Sequence, residues 1–334
     1  MGWYRAVVHP ALSALPPEVA HRLVMHALAL PLPWERIGGA VRDPALETTL
    51  AGIRLPNPIG LAAGFDKGCE RLAALGRLGF GYVVGGTVTR HPRAGNPRPR
   101  VVRSPTRLAL VNAMGLPNPG AEAVARRLAR SPRTSPRLVS IADEAVPDAV
   151  ASHALLEPHV DGIELNASCP NVSWGRDRDT EAHLAALLRE LGARRTRPLF
   201  VKLPPFRTAV EREVVLTLAR IAVDGGADGL VCSNTRPVAD RRLAVGRGGL
   251  SGRVLLADTV RIVGEVRAAT DAVVPITACG GIFTGEDALA CLRAGATTVQ
   301  IYTGFVYRGP EILRELTSRL AAELRPSART PEDR

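Results

Sequence analysis

The sequence predicts an α/β chain folded as a (β/α)8, or TIM, barrel preceded by a short helical hairpin. Three observations carry that expectation. Eight short, mostly apolar runs recur along the chain, at residues 59–64, 82–88, 138–142, 162–165, 199–203, 229–232, 275–278 and 298–302. Apolar side chains at successive positions mark strands buried on both faces, as parallel strands are. Stretches with helical spacing fall between them, among them 71–78, 181–191, 210–223, 257–269 and 285–294. Finally, the scarce polar residues gather just after the runs, where the strands of a barrel converge on one face. Eight such units close into a barrel more readily than they extend as an open sheet.

Taken from the N-terminus, residues 1–40 read as two short helices separated by Pro16 and Pro17. In the second, Val19, Leu23, Met25, His26, Ala27 and Leu30 give a broad apolar face, bordered by Glu18, His21 and Arg22. A pair this short cannot span a bilayer, but it can lie on one, cap a pocket or pack on its own barrel. The barrel is expected over residues 41–325, with 326–334 as a disordered tail. No helix directly follows the second strand. A Pro- and Arg-rich insertion, 90–119, intervenes and reads as a long irregular segment, which inside a compact domain usually carries function.

Composition narrows the function. At 334 residues and 46% hydrophobic content, one large barrel with an appendage accounts for the chain. No apolar run reaches the roughly 18 residues of a membrane span, and the N-terminus lacks a signal-peptide pattern, so the chain is expected inside the cell. Five cysteines (Cys69, Cys169, Cys232, Cys279, Cys291) show no CxxC spacing and no paired His, which supports neither a disulfide framework nor a metal site. Cys232, Cys279 and Cys291 read as small core hydrophobes. The formal charge of +11 is spread along the chain, and aromatics are only 4%, so no nucleic-acid partner is expected.

The basic residues are more telling. Of 43, all but Lys67 and Lys202 are Arg. In such a chain a surviving lysine points to a crowded place that needs a compact, flexible ammonium. Asparagine is similarly scarce, at seven positions. In a barrel, active sites lie where the strands end. Those ends carry AAGFDK with Lys67, GGTVT with Thr87, NASCPN with Asn166, Cys169 and Asn171, VKLPP with Lys202, SNT with Asn234, then CGG and YTG. Asn112 lies in the inserted loop. The fourth strand and its exit, GIELNASCPNVSWG, place polar amides around a thiol where the chain leaves the core; a polar loop with a buried cysteine is the plainer reading. Gly280, Gly281 and the Thr303–Gly304 step follow strands seven and eight, where backbone N–H groups of such barrels commonly meet a phosphate.

These pieces together resemble the dihydroorotate dehydrogenases. The resemblance runs from about residue 4 to 320 through LAAGFDK (61–67), GFGYVVGGTVT (79–89), GNPRPRVVR (95–103), VNAMG (111–115), NASCPN (166–171), VKLPP (201–205), SNT (233–235), GGLSG (248–252), CGGI (279–282) and VQIYTGF (299–305). It implies an FMN enzyme of pyrimidine synthesis that oxidises dihydroorotate. The N-terminal helices and the AHRL around His21 resemble class 2, the membrane-associated, quinone-reducing branch, which implies peripheral attachment to the inner face of the cell membrane. Position by position, the resemblance gives Lys67, Asn112, Asn166, Asn171, Asn234 and Thr235 to the substrate. It gives Ala63, Gly64, Thr87, Lys202, Gly252, Gly281 and Thr303 to FMN, and His21, Arg103 and Tyr302 to a quinone tunnel. Cys169 stands at the position of the catalytic base; no metal is implied.

Three departures from class 2 stand out. The base position holds Cys169, as in soluble class 1 enzymes, where class 2 has Ser. After strand three the chain reads SIADEA, with Ser140 where the family has an FMN-binding Asn. Cys69 and Leu116 replace residues usually Gly and Phe, and VSWGRD follows Asn171. Other readings of the same barrel are a paralogue acting on a related cyclic amide, a flavin-free phosphate-ligand barrel and a membrane-surface binding protein.

Overall fold

The computed structural model describes residues 2–167 and 180–325. A hairpin of β1 (Thr48–Leu50) and β2 (Ile53–Leu55) leads into β3 (Ile59–Leu61) and β4 (Tyr82–Val88). Next come β5 (Val101–Ser104), β6 (Ala109–Asn112), β7 (Arg137–Ile141), β8 (Gly162–Leu165), β9 (Leu199–Leu203) and β10 (Gly229–Cys232). The last are β11 (Arg236–Ala239), β12 (Arg247–Gly252), β13 (Ile276–Cys279) and β14 (Thr298–Ile301). Strands β3, β4, β7, β8, β9, β10, β13 and β14 pair in that order, all parallel, and β14 returns to β3 to close the barrel. All eight predicted strands are there, each bound shifted by three residues or fewer.

Two helices that follow barrel strands start on complete capping boxes, Thr208 with Glu211 and Thr284 with Asp287. Pro17 opens helix Pro17–Ala27, at a position where its missing N–H costs nothing. The N-terminal region holds more than the expected pair. Helical segments Tyr4–Val8 and His9–Ser13 run on from one another, and a further short helix, Trp34–Gly38, follows.

The insertion also differs from the sequence reading. Residues 90–119 are not irregular throughout: β5 and β6 form an antiparallel pair that joins β12 and β11 in a separate four-stranded sheet. This sheet stands over the C-terminal rim and is stitched at Asn112 opposite Gly249.

The hydrophobic core has two shells because alternate side chains of each barrel strand point in and out. Outward residues such as Val83, Val139, Ile163 and Val201 pack under the helices. Inward residues Tyr82, Val84, Leu138, Phe200 and Val231 fill the interior, and Leu50 and Leu55 of the first hairpin seal it from below. The rings fit only because glycine faces them. A Cβ at Gly60 would lie 2.3 Å from the Tyr82 ring, and one at Gly229 2.7 Å from Phe200. Overpacking of this kind costs about 1–3 kcal/mol. Gly60→Ala is therefore expected to lower the chemical denaturation midpoint by that equivalent; an unchanged midpoint would show that the Tyr82 ring has room to yield.

Candidate active site

The strand ends open into one pocket of about 940 Å³, bounded by the barrel rim, the four-stranded sheet and the N-terminal helices. Every predicted site residue that the structure describes lines it: Lys67, Asn112, Asn166, Asn234 and Thr235; Ala63, Gly64, Thr87, Lys202, Gly252, Gly281 and Thr303; His21, Arg103 and Tyr302. Cys169 and Asn171 lie outside the described residues.

At the floor, the Lys202 ammonium on β9 reaches the Glu164 carboxylate on β8 at 3.3 Å, and Gln300 Nε2 on β14 donates to the other Glu164 oxygen at 3.1 Å. All three are buried. Burial alone would lower the Lys202 pKa, but the charge of Glu164 reverses the effect and the net direction is up. Cys279, expected as inert core, instead lines the pocket near Lys202, and burial pushes its thiol pKa up.

Above the floor runs a row of hydrogen-bonded side chains. Ser140 Oγ lies 3.1 Å from Thr87 Oγ1, Asn166 Nδ2 donates to Thr87 Oγ1 at 3.3 Å, and Asn234 Nδ2 donates to Asn166 Oδ1 at 3.4 Å. Ser140 is fully buried behind Thr87 and does not line the pocket. Thr303 Oγ1, at the start of the helix after β14, donates to Ser251 Oγ on β12 at 2.8 Å.

Lys67 donates to the Gly64 carbonyl at 2.6 Å. Burial brings its pKa down to about 8, partly opposed by the charge of Glu18. Toward the N-terminal helices the lining becomes apolar, with Leu12, Val24, Met25, Leu28, Phe65 and Tyr302. His21 meets the Phe65 ring edge to face at 5.0 Å, and Tyr302 and Phe305 pack against the same ring at 5.9 and 5.2 Å. Arg103 serves the helices themselves. Its guanidinium donates to the carbonyls of Leu12, Ser13 and Leu15, the last at 2.6 Å, closing off the end of the first helical run. Glu18 accepts from Arg98 and Arg100, which fastens helix Pro17–Ala27 to the insertion.

Sequence reasoning missed Glu164, Gln300, Ser251 and the Glu18–Arg100 pair. The first two carried a signal: each is a long polar side chain inside a short buried strand, GIEL and TVQI. Among the described residues no group of three or more His, Cys, Asp or Glu could hold a metal ion.

A closed barrel with a fixed ammonium at its floor, amides along one wall and an apolar corridor beneath an N-terminal cap defines a (β/α)8 enzyme with room for polar and apolar occupants side by side. Residues 45–324 match the family model described as dihydroorotate dehydrogenase, and the chain belongs to that family of flavin-dependent oxidoreductases. A relative from Chloroflexus aurantiacus named dihydroorotate dehydrogenase (quinone) is 41% identical, covering 94% of this chain and 95% of its own. One of the same name from a Roseiflexus species is 37% identical over 96% and 94% of the two chains. Among solved structures, the Eimeria tenella DHODH in complex with ferulenol aligns at a TM-score of 0.80 and 30% identity, covering 91% of this chain and 90% of that one.

The floor suits a flavin. Lys202 supplies a buried cation, and Gln300 Oε1 is a buried acceptor without a partner among the described residues.

His21 yields a pH prediction. Burial, followed by the charge of Lys67, lowers its pKa to about 4 from the ordinary 6.5, so the folded protein holds it neutral. The unfolded chain then binds a proton that the folded one does not as pH falls from 6.5 to 4, and stability drops across that window. His21→Phe is expected to flatten this part of a denaturant-melt profile against pH; an unaltered slope would place the loss on other groups.

Proposed function

We propose that the protein oxidises (S)-dihydroorotate to orotate in de novo pyrimidine synthesis, with FMN in the barrel mouth and a quinone as final oxidant. The observation that carries this reading is the convergence of Lys67, Asn112, Asn166, Asn234 and Thr235 with Lys202 in one pocket that continues into an apolar corridor. The substrate has a carboxylate and amide edges. Lys67 pairs with the carboxylate, and the asparagine amides, which both donate and accept, read the ring.

Ala63, Gly64, Thr87, Lys202, Gly252, Gly281 and Thr303 would hold FMN, which when bound accepts the hydride that leaves one ring carbon. Lys202 sets a positive charge where negative charge gathers on reduction. Cys169 takes the proton from the neighbouring carbon; a thiol of ordinary pKa about 8.5 is far more readily deprotonated near neutrality than a serine hydroxyl. Asn171 completes the substrate set.

His21, Arg103 and Tyr302 border the path for quinone, and the mouth of that path supports contact with a membrane surface. Trp3, Val7, Leu23, Leu30 and Leu32, all in the N-terminal region, are between 42% and 68% exposed. Exposed apolar side chains of this kind suit peripheral binding to the inner face of the cell membrane. No helix among the described residues is long and apolar enough to cross one.

Anaerobic addition of dihydroorotate should bleach the bound flavin, and a quinone should restore its colour faster than fumarate or NAD. Cys169→Ala is expected to retain flavin but lose the bleaching. Flavin-loaded protein that ignores dihydroorotate would move the assignment to a related cyclic amide, and undiminished bleaching in the variant would remove the base. For the membrane contact, the variant carrying Trp3→Ser, Leu23→Ser and Leu30→Ser should co-sediment with phospholipid vesicles several-fold less than the parent; equal recovery would exclude this patch as the contact.

A further inference from the structure

The barrel interior contains a carboxylate with no part in the roles assigned above. Glu164 lies inside β8, at 0% exposure, on a strand whose other residues are apolar or glycine. An unpaired carboxylate there would be strongly disfavoured. It persists because two neighbours from other strands hold it: Lys202 Nζ at 3.3 Å on one oxygen and Gln300 Nε2 at 3.1 Å on the other. The Gln300 carbonyl oxygen has no partner among the described residues, so this amide is turned to serve the carboxylate at the expense of its own acceptor. Lys202 is itself 4% exposed and lines the pocket floor, so it faces the cofactor space on one side and Glu164 on the other.

The ionisable groups that bear on Lys202 are Glu164 from β8, the Cys279 thiol from β13 and the Tyr82 hydroxyl from β4. Burial pushes the Cys279 thiol up and the Tyr82 hydroxyl to about 12, so both are neutral at physiological pH. Glu164 is then the one counter-charge among these that can offset the desolvation of a buried ammonium.

We propose that Glu164, steadied by Gln300, is a positioning residue that keeps Lys202 protonated and fixed at the pocket floor, so that the flavin always meets a cation there. This rests on the flavin reading of the pocket. Its consequence is electrochemical. Without Glu164 burial acts on the ammonium unopposed by that charge, so its proton affinity falls, and the cation that favours the negatively charged reduced flavin is lost at a lower pH than in the parent.

The test measures the midpoint potential of the bound flavin, and the FMN dissociation constant, from pH 6 to 10 in the holoenzyme. The parent should show no break due to Lys202. Glu164→Gln should introduce one, with a lower potential and at least tenfold weaker FMN binding on its alkaline side, and Glu164→Asp should largely remove it. A flavin-loaded Glu164→Gln protein with the parent's pH profile overturns the proposal. Should that variant fail to fold, Lys202→Gln provides the second route. Alone it orphans the Glu164 carboxylate, so the double variant Lys202→Gln, Glu164→Gln should melt at a higher temperature than Lys202→Gln; a double variant no more stable than the single one also overturns it. A parent protein that neither carries nor takes up flavin fails at the earlier step, removing the flavin reading itself.

Discussion

A closed parallel barrel must fill its own interior, and the rest of this molecule follows from how that is done. Alternate side chains of all eight strands are committed to a narrow space that water does not relieve. Below, the problem is solved with volume: Tyr82 and Phe200 take the room left by Gly60 and Gly229, and the β1–β2 hairpin closes the end. Higher up, the interior becomes polar, with Glu164, Lys202, Gln300, Thr277 and Thr298 all buried. Thr298 Oγ1 lies 2.7 Å from Thr277 Oγ1 and 3.2 Å from the Tyr82 hydroxyl, so the aromatic layer is itself hydrogen-bonded into the polar one. A polar interior is tolerable when its members are largely paired with one another, as they are here apart from Gln300 Oε1, and the same pairing makes it rigid. The pocket thus has a floor that does not depend on loops.

What stands above the rim is built by different means. The β5–β6 pair and the β11–β12 pair come from two distant insertions, and neither would be stable alone as an isolated hairpin. Joined edge to edge they bury Ala109, Val111, Leu243 and Leu250 in a small core of their own. Arg103 of that sheet, with Arg98 and Arg100 in the segment leading into it, then anchors the N-terminal helices. Arg100 is nearly buried, and its guanidinium also donates to the carbonyls of Ala94 and Asn96, so the Glu18 contact is part of a fixed network and not a loose surface pair. The apolar corridor exists because a basic insertion holds an apolar cap.

The barrel was legible because its strands are short apolar runs whose character survives any tertiary context, and the rim was legible because lysine and asparagine are so scarce that their positions stand out. The four-stranded sheet was not. β11 reads RPVA and alternates between half-buried and exposed positions, while β5 is nowhere fully buried, so neither carries the apolar run of a core strand. Pairing between segments more than a hundred residues apart leaves no local pattern. Ser140, which stands where the resemblance puts an FMN-binding Asn, has a short side chain that stops at Thr87, and only the three-dimensional arrangement reveals that it supports the pocket wall from behind. Cys279 was misread because an apolar strand context does not say which face meets the pocket.

The two lysines, alike in sequence terms, are opposites in the structure. Lys202 has a contacting carboxylate and its pKa is raised; Lys67 makes no ion pair among the described residues and its pKa falls to about 8. The first is a constant charge, already neutralised, and a bound group meets it without changing its protonation. The second is desolvated, hydrogen-bonded to the Gly64 carbonyl and in contact with no carboxylate among the described residues, so an anion bound beside it would raise its proton affinity. Linkage makes that reciprocal: whatever binds the anion also binds the proton, and the anion is held less well as pH climbs past the free lysine's pKa. Arginine, protonated under all these conditions, could have filled the first role approximately but not the second. In a chain that uses arginine almost everywhere else, a lysine at position 67 suits a site whose charge is completed by a bound anion.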